Sequence, residues 1–192
     1  MTQPRDSRGT PVARMKAKVC TVGERHTGKT ELIRRFVLGL FDDRYIQTLG
    51  TKVSKKLLSV PNPSDGEIAV DMTIWDIMGH EGFRGLLKDE IFYGAKGILA
   101  VCNVAHRETL EDLDEWIETV YSVAGRIPIV LAINRVGLSN ETEITELDAK
   151  RFSDKYGAPY LFTSAIEGEN VETVFRSLAR LIVENRLRTR TN

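Results

Sequence analysis

Apolar and polar positions along the chain alternate between two periods. Residues 18–22 form a short apolar run that reads as a buried strand. Residues 30–40 then repeat Leu32, Ile33, Phe36, Val37 and Leu40 on one side, a helical period. Residues 53–60 and 68–75 are strand-like, and Pro61-Asn62-Pro63-Ser64-Asp65-Gly66 between them is turn chemistry, so a hairpin is expected. Residues 97–104 and 127–133 are Ile- and Val-rich runs of the kind covered on both faces. Between them, residues 108–121 place Leu110, Leu113, Trp116, Ile117, Val120 and Tyr121 at helical spacing. A helix over 146–156, a strand over 159–163 and a helix over 171–183 complete the pattern. Strands alternating with helices predict an α/β fold: a six-stranded, mostly parallel sheet with one antiparallel hairpin strand and helices on both faces. Ligands of such sheets bind at the carboxyl ends of the strands.

Composition narrows the class without changing the fold. The 192 residues suit one domain over 15–188, with flexible ends at 1–14 and 189–192. Twenty-seven basic residues balance 27 acidic ones, leaving no basic excess to drive binding to nucleic acid. Cys20 and Cys102 are too few for a disulfide framework and fit core strands; His26, His80 and His106 fall at no metal-ligand spacing. No apolar run reaches about 18 residues, the start lacks a signal-peptide pattern, and Asn192 has no cysteine near it for a lipid anchor. A cytoplasmic monomer is the expectation.

The chemistry begins after the first strand. Gly23-Glu24-Arg25-His26-Thr27-Gly28-Lys29-Thr30 fits G-x-x-x-x-G-K-[ST], between an apolar strand and an apolar helix. Backbone N–H groups and a helix N-terminus attract phosphate oxygens there. Lys29 is placed to neutralise β and γ phosphates and the Thr30 hydroxyl to meet Mg²⁺, with Glu31 next in the helix. A second signal, Trp75-Asp76-Ile77-Met78-Gly79-His80-Glu81, follows a strand; Asp76 suits Mg²⁺ and the Gly79 N–H the γ-phosphate.

These motifs, in this order, resemble a Ras-superfamily small GTPase of the Rab branch over roughly residues 15–184, which implies the P-loop G-domain fold. Phe41-Asp42-Asp43-Arg44-Tyr45-Ile46-Gln47-Thr48-Leu49-Gly50 is similar to Rab switch I, and the run from Trp75 to Arg84 to the start of switch II. Tyr93-Gly94-Ala95-Lys96-Gly97, Thr163-Ser164-Ala165 and Gly168-Glu169-Asn170-Val171 match as well. The resemblance implies that Thr48 senses metal and γ-phosphate, that Phe41 and Tyr45 lie beside the nucleotide, and that Asn134, Arg135, Ser164, Ala165 and Ile166 lie near the base. It also implies GTP and GDP as ligands, Mg²⁺ as cofactor, and an effector, an exchange factor and an activating protein as partners at the switch loops.

Several residues depart from the family pattern. His80 stands where the family has a water-positioning glutamine, as in translational GTPases. Lys29, Thr48 and His80 are therefore the expected catalytic set, and Thr30, Thr48 and Asp76 the metal set. Arg25 stands where a small residue is common; a loop arginine is usually solvated, and the alternatives are that it reaches the γ-phosphate or obstructs an arginine from a partner. N-K-x-D appears as Asn134-Arg135-Val136-Gly137, and S-A-K as Ser164-Ala165-Ile166, so the base-reading aspartate and lysine are missing. A GTP-binding switch with slow hydrolysis is the leading expectation. A non-hydrolysing or relaxed-specificity interaction module of the same fold is the alternative. A small nucleoside kinase shares the phosphate loop, but the chain shows no arginine-rich lid and does show both switch motifs.

Overall fold

The structure, a computed structural model, describes residues 13–39, 50–62, 66–79, 88–137 and 141–191. Six strands make one sheet: β1 (Ala13–Val22), β2 (Thr51–Pro61), β3 (Glu67–Ile77), β4 (Gly97–Asn103), β5 (Ile129–Arg135) and β6 (Tyr160–Ser164). Their spatial order is β2-β3-β1-β4-β5-β6. Only β2 runs antiparallel, paired with β3 from Thr51↔Ile77 to Pro61↔Glu67 as the hairpin pattern predicts. β1 pairs in parallel with both β3 and β4, so the chain order reverses around it. In open α/β sheets that reversal opens a crevice beyond the strand ends. The phosphate loop leaves β1 at that point.

Helices α1 (Lys29–Leu38) and α6 (Val171–Thr191) cover one face. Phe36 and Phe175 stack there with ring centroids 4.0 Å apart. The other face is covered by α2 (Lys88–Phe92), α3 (Glu108–Glu111), α4 (Leu113–Ala124) and α5 (Glu146–Tyr156). β4 is buried at every position, as its continuous apolar run requires. Cys20 and Cys102 are buried core residues; burial pushes the Cys20 thiol up to about 12 and Cys102 higher still.

Four boundaries differ from the periodicity. β1 starts at Ala13 rather than 18, because its first half alternates exposed Arg14 and Lys16 with buried Met15 and Ala17. The helical stretch after β4 divides at Asp112 into α3 and α4, although its apolar spacing runs on without a break. α2 was not anticipated, since five residues with two buried side chains carry no readable period. α6 continues to Thr191; beyond Val183, among the described residues, only Leu187 packs on the core, so the apolar stripe fades before the helix does.

Candidate functional site

β1 delivers the phosphate loop to the top of the sheet, and α1 begins inside the motif at Lys29. Gly28 caps α1 in the left-handed region at φ 79°, a conformation that favours glycine. A Cβ at Gly28 would collide with the Asn134 amide and lie 3.3 Å from Val136 Cγ2. The loop therefore sits directly against the end of β5.

Lys29 is buried, with its ammonium turned back into the loop. Its Nζ donates to Gly23 O at 2.7 Å, to Glu24 O at 2.6 Å and to Thr27 Oγ1 at 3.4 Å. Burial lowers its pKa to about 8, opposed by the carboxylates of Asp76, Glu24 and Glu31. Thr27 is also buried, and its hydroxyl donates to Glu24 O at 2.9 Å. Arg25 and His26 are exposed at the loop's outer edge, and His26 adopts φ 60°. His26 O accepts from Asn103 Nδ2 at the end of β4, 3.4 Å away.

Asp76 lies near the end of β3 and is 2 % exposed. The Thr30 hydroxyl donates to its Oδ2 at 2.7 Å across 46 residues of sequence. A threonine hydroxyl and a buried carboxylate converging beside a lysine are hard oxygen donors suited to Mg²⁺. Gly79 then passes close under the loop: a Cβ there would lie 2.6 Å from Arg25 N and 2.7 Å from Gly23 O. Glycine is required at that approach.

The residues that the resemblance places near the base lie at the ends of β5 and β6, where Asn134 pairs with Thr163 and Arg135 with Ser164. Asn134 is buried; its Nδ2 donates to Thr27 O at 2.9 Å, and its Oδ1 accepts from Thr163 Oγ1 at 3.2 Å. Asn134 thus ties the phosphate loop to the ends of β5 and β6. Arg135, Val136 and Gly137 are exposed, Ser164 and Ala165 are buried, and Ile166 is half-buried. The Ser164 hydroxyl accepts from Glu167 N at 3.2 Å and shapes this turn.

The structure brings together Gly23, Arg25, His26, Thr27, Gly28, Lys29, Thr30, Glu31, Asp76, Gly79 and Asn134, with Arg135, Ser164, Ala165 and Ile166 alongside. Phe41, Tyr45, Thr48 and His80 lie outside the described residues. Sequence reasoning gave no site role to Glu24 or Asn103, read Trp116 as helix core, and named Thr163 only within a matching motif. Glu24 occupies a free position of the motif, and Trp116 sits 92 residues away, yet Trp116 Nε1 donates to Glu24 Oε1 at 2.9 Å.

A sequence profile described as the Ras family matches residues 18–184. Over 167 residues, covering 86% of this chain and 76% of the relative, the chain is 35% identical to the Ras-related protein Rab-4A of Danio rerio. Rab-4A of Homo sapiens is 34% identical over the same length, with 86% of this chain and 74% of the relative covered. For Rab-4B of Homo sapiens the identity is 33%, with coverage of 86% and 76%.

Proposed function

Because the chain belongs to the Ras family of small GTPases and is Rab-like, we propose that it is a Mg²⁺-dependent GTP switch of the cytoplasm that hydrolyses GTP slowly. The observation that carries this reading is the 2.7 Å contact of Thr30 with Asp76 beside the buried Lys29. Thr30 and Asp76 would hold the metal, with Thr48 as the resemblance implies. When bound, Mg²⁺ offsets phosphate charge and polarises the phosphoryl oxygens.

The chain's own groups do the remaining work. Lys29 carries three N–H donors and exchanges loop carbonyls for phosphate oxygens. The N-terminal end of α1 adds its aligned peptide dipoles. Gly79 sits close enough to the loop for its backbone to respond to the terminal phosphate. His80 orients the attacking water through a ring nitrogen, and the two switch loops relax once the phosphate leaves. An effector, an exchange factor and an activating protein would read that change on a monomer.

One observation favours a second reading, a nucleotide-binding module of relaxed specificity. Gly137 has no carboxylate to offer the base, and a Cβ at that position would meet nothing within 4 Å among the described residues. Extracting the purified protein and identifying the bound nucleotide separates the two readings. The switch reading expects GDP or GTP; adenine nucleotides in equal measure favour the module. Single-turnover hydrolysis then compares wild type with His80→Ala, and equal rates at saturating nucleotide would remove His80 from the chemistry.

A further inference from the structure

The Glu24 peptide lies where three parts of the site meet. Its carbonyl accepts both Lys29 Nζ and Thr27 Oγ1. Its backbone carbon lies 2.5 Å from where a Cβ on Gly79 would be. Its carboxylate reaches the other way and accepts the indole N–H of Trp116 at 2.9 Å. Trp116 is fully buried in α4, packed in the apolar cluster on the α2–α5 face of the sheet. A side chain held on all sides cannot follow a moving loop, so this bond anchors the loop to α4.

We propose that Glu24 is a positioning residue for phosphate binding, tethered by Trp116 so that the loop keeps the backbone path on which its carbonyl holds Lys29 ready to pass to the phosphate oxygens. The inference rests on the nucleotide-binding reading above and adds a residue pair to it. Coulomb's law alone predicts the opposite effect, because a carboxylate on a phosphate-binding loop repels its ligand. The indole bond turns that carboxylate toward α4 and uses it as an anchor. Tether and repulsion therefore predict changes of opposite sign.

Glu24→Leu keeps the bulk, removes the charge and removes the acceptor. Glu24→Gln removes the charge and keeps an oxygen for the indole. Trp116→Phe removes the N–H and keeps an aromatic core residue. The probe is a fluorescent GDP analogue with Mg²⁺, titrated against the full chain. The tether predicts about tenfold or greater weakening in Glu24→Leu and Trp116→Phe, with near wild-type affinity in Glu24→Gln. Leu combined with Phe should weaken binding no further than either alone, since the pair acts as one unit. The indole ¹H–¹⁵N signal of Trp116 should shift on nucleotide binding in wild type and lose that response in Glu24→Leu. The chain has two tryptophans, so Trp116→Phe assigns the signal and Glu24→Leu leaves the core intact should the Phe variant fold poorly. Tighter binding by Glu24→Leu, or unchanged binding by all three variants, overturns the tether and leaves the nucleotide-binding reading standing. No binding by wild type at millimolar nucleotide overturns both.

Discussion

Lys29 is an ammonium enclosed by carbonyl oxygens, and that environment gives triphosphate binding a pH dependence. Burial brings its pKa down to about 8, while Asp76 on β3, Glu24 in the loop and Glu31 on α1 hold it up. Bound phosphate would favour the charged form further, so above the free-state value binding must take up a proton. Affinity should then fall about fivefold between roughly pH 8 and 9, approach about tenfold per pH unit above that, and stay nearly flat on that account between 6 and 7. Calorimetry in buffers of different ionisation enthalpy measures the proton uptake directly; no uptake at pH 8.5 would contradict the assignment. Lys29→Ala should abolish triphosphate binding. At position 137 the backbone has φ +76° and space around it. The Cβ of Gly137→Asp therefore meets none of the described residues within 4 Å, and aspartate is among the residues that visit this region, at a cost of about 1 kcal/mol. The resemblance assigns to an aspartate here the guanine N–H donors, each bond contributing about 1.5–3 kcal/mol. GTP should thus gain about tenfold or more over ATP in Gly137→Asp, read by competition of GTP, ATP and XTP against a fluorescent nucleotide. An unchanged ratio would mean that another residue reads the base. That Lys29, Thr30 and Asp76 come together was legible because phosphate and metal chemistry fixes residue types at fixed spacing. The bond of Asn134 to Thr27 was not legible, because strand register rather than spacing creates it.

Secondary elements hold these residues through their ends, and α5 shows how. Thr145 caps α5: its side chain accepts from Asp148 N at 3.3 Å, and its N–H donates to Asp148 Oδ2 at 3.0 Å. Arg107 at the start of α3 adds two bonds to the same buried carboxylate, joining α3 to α5. The Thr145 bonds first, and then Arg107, lower the Asp148 pKa to about 2. A carboxylate depressed on folding contributes stability that is present above its unfolded value of about 3.9 and is lost as pH falls through the folded value. Asp148→Asn should therefore flatten the acid limb of stability between about pH 4 and pH 2. Thr145→Ala should cost about 1 kcal/mol at neutral pH through loss of the cap. Urea midpoints across that range test both, and an unchanged acid limb in Asp148→Asn would show that the pair is not linked to folding. The bounds of α5 coincide with the residues read from sequence because cap, apolar face and Gly157 stop all agree. α2 and the break at Asp112 were hidden for the opposite reason. α2 packs against α4, and α3 against β4, and apolar spacing carries no trace of those contacts.

At the scale of the whole molecule, the site is assembled from strand ends that are distant in sequence. The phosphate loop follows β1, Asp76 lies near the end of β3, Asn134 near the end of β5, and Ser164 ends β6. On the proposed reading a nucleotide bound there would bridge the sheet from β3 to β6, so its binding energy would add to the stability of the entire fold. A ligand at about 100 times its Kd raises stability by about 2.7 kcal/mol. For a chain of this size, that corresponds to a rise in Tm of roughly 5–11 °C. Because Thr30 and Asp76 converge on one point, Mg²⁺ and GDP together should raise Tm by more than the sum of either alone. Thr30→Asn should lose that synergy and retain part of the metal-free nucleotide shift, since Lys29 and the loop remain. Scanning calorimetry of wild type and Thr30→Asn, each with EDTA, Mg²⁺, GDP and both ligands, gives the four-way comparison. Additive shifts in wild type would separate metal from nucleotide and remove Thr30 and Asp76 from a shared metal site. Equal synergy in Thr30→Asn would move the metal away from Thr30 alone, leaving Asp76 with partners other than this hydroxyl.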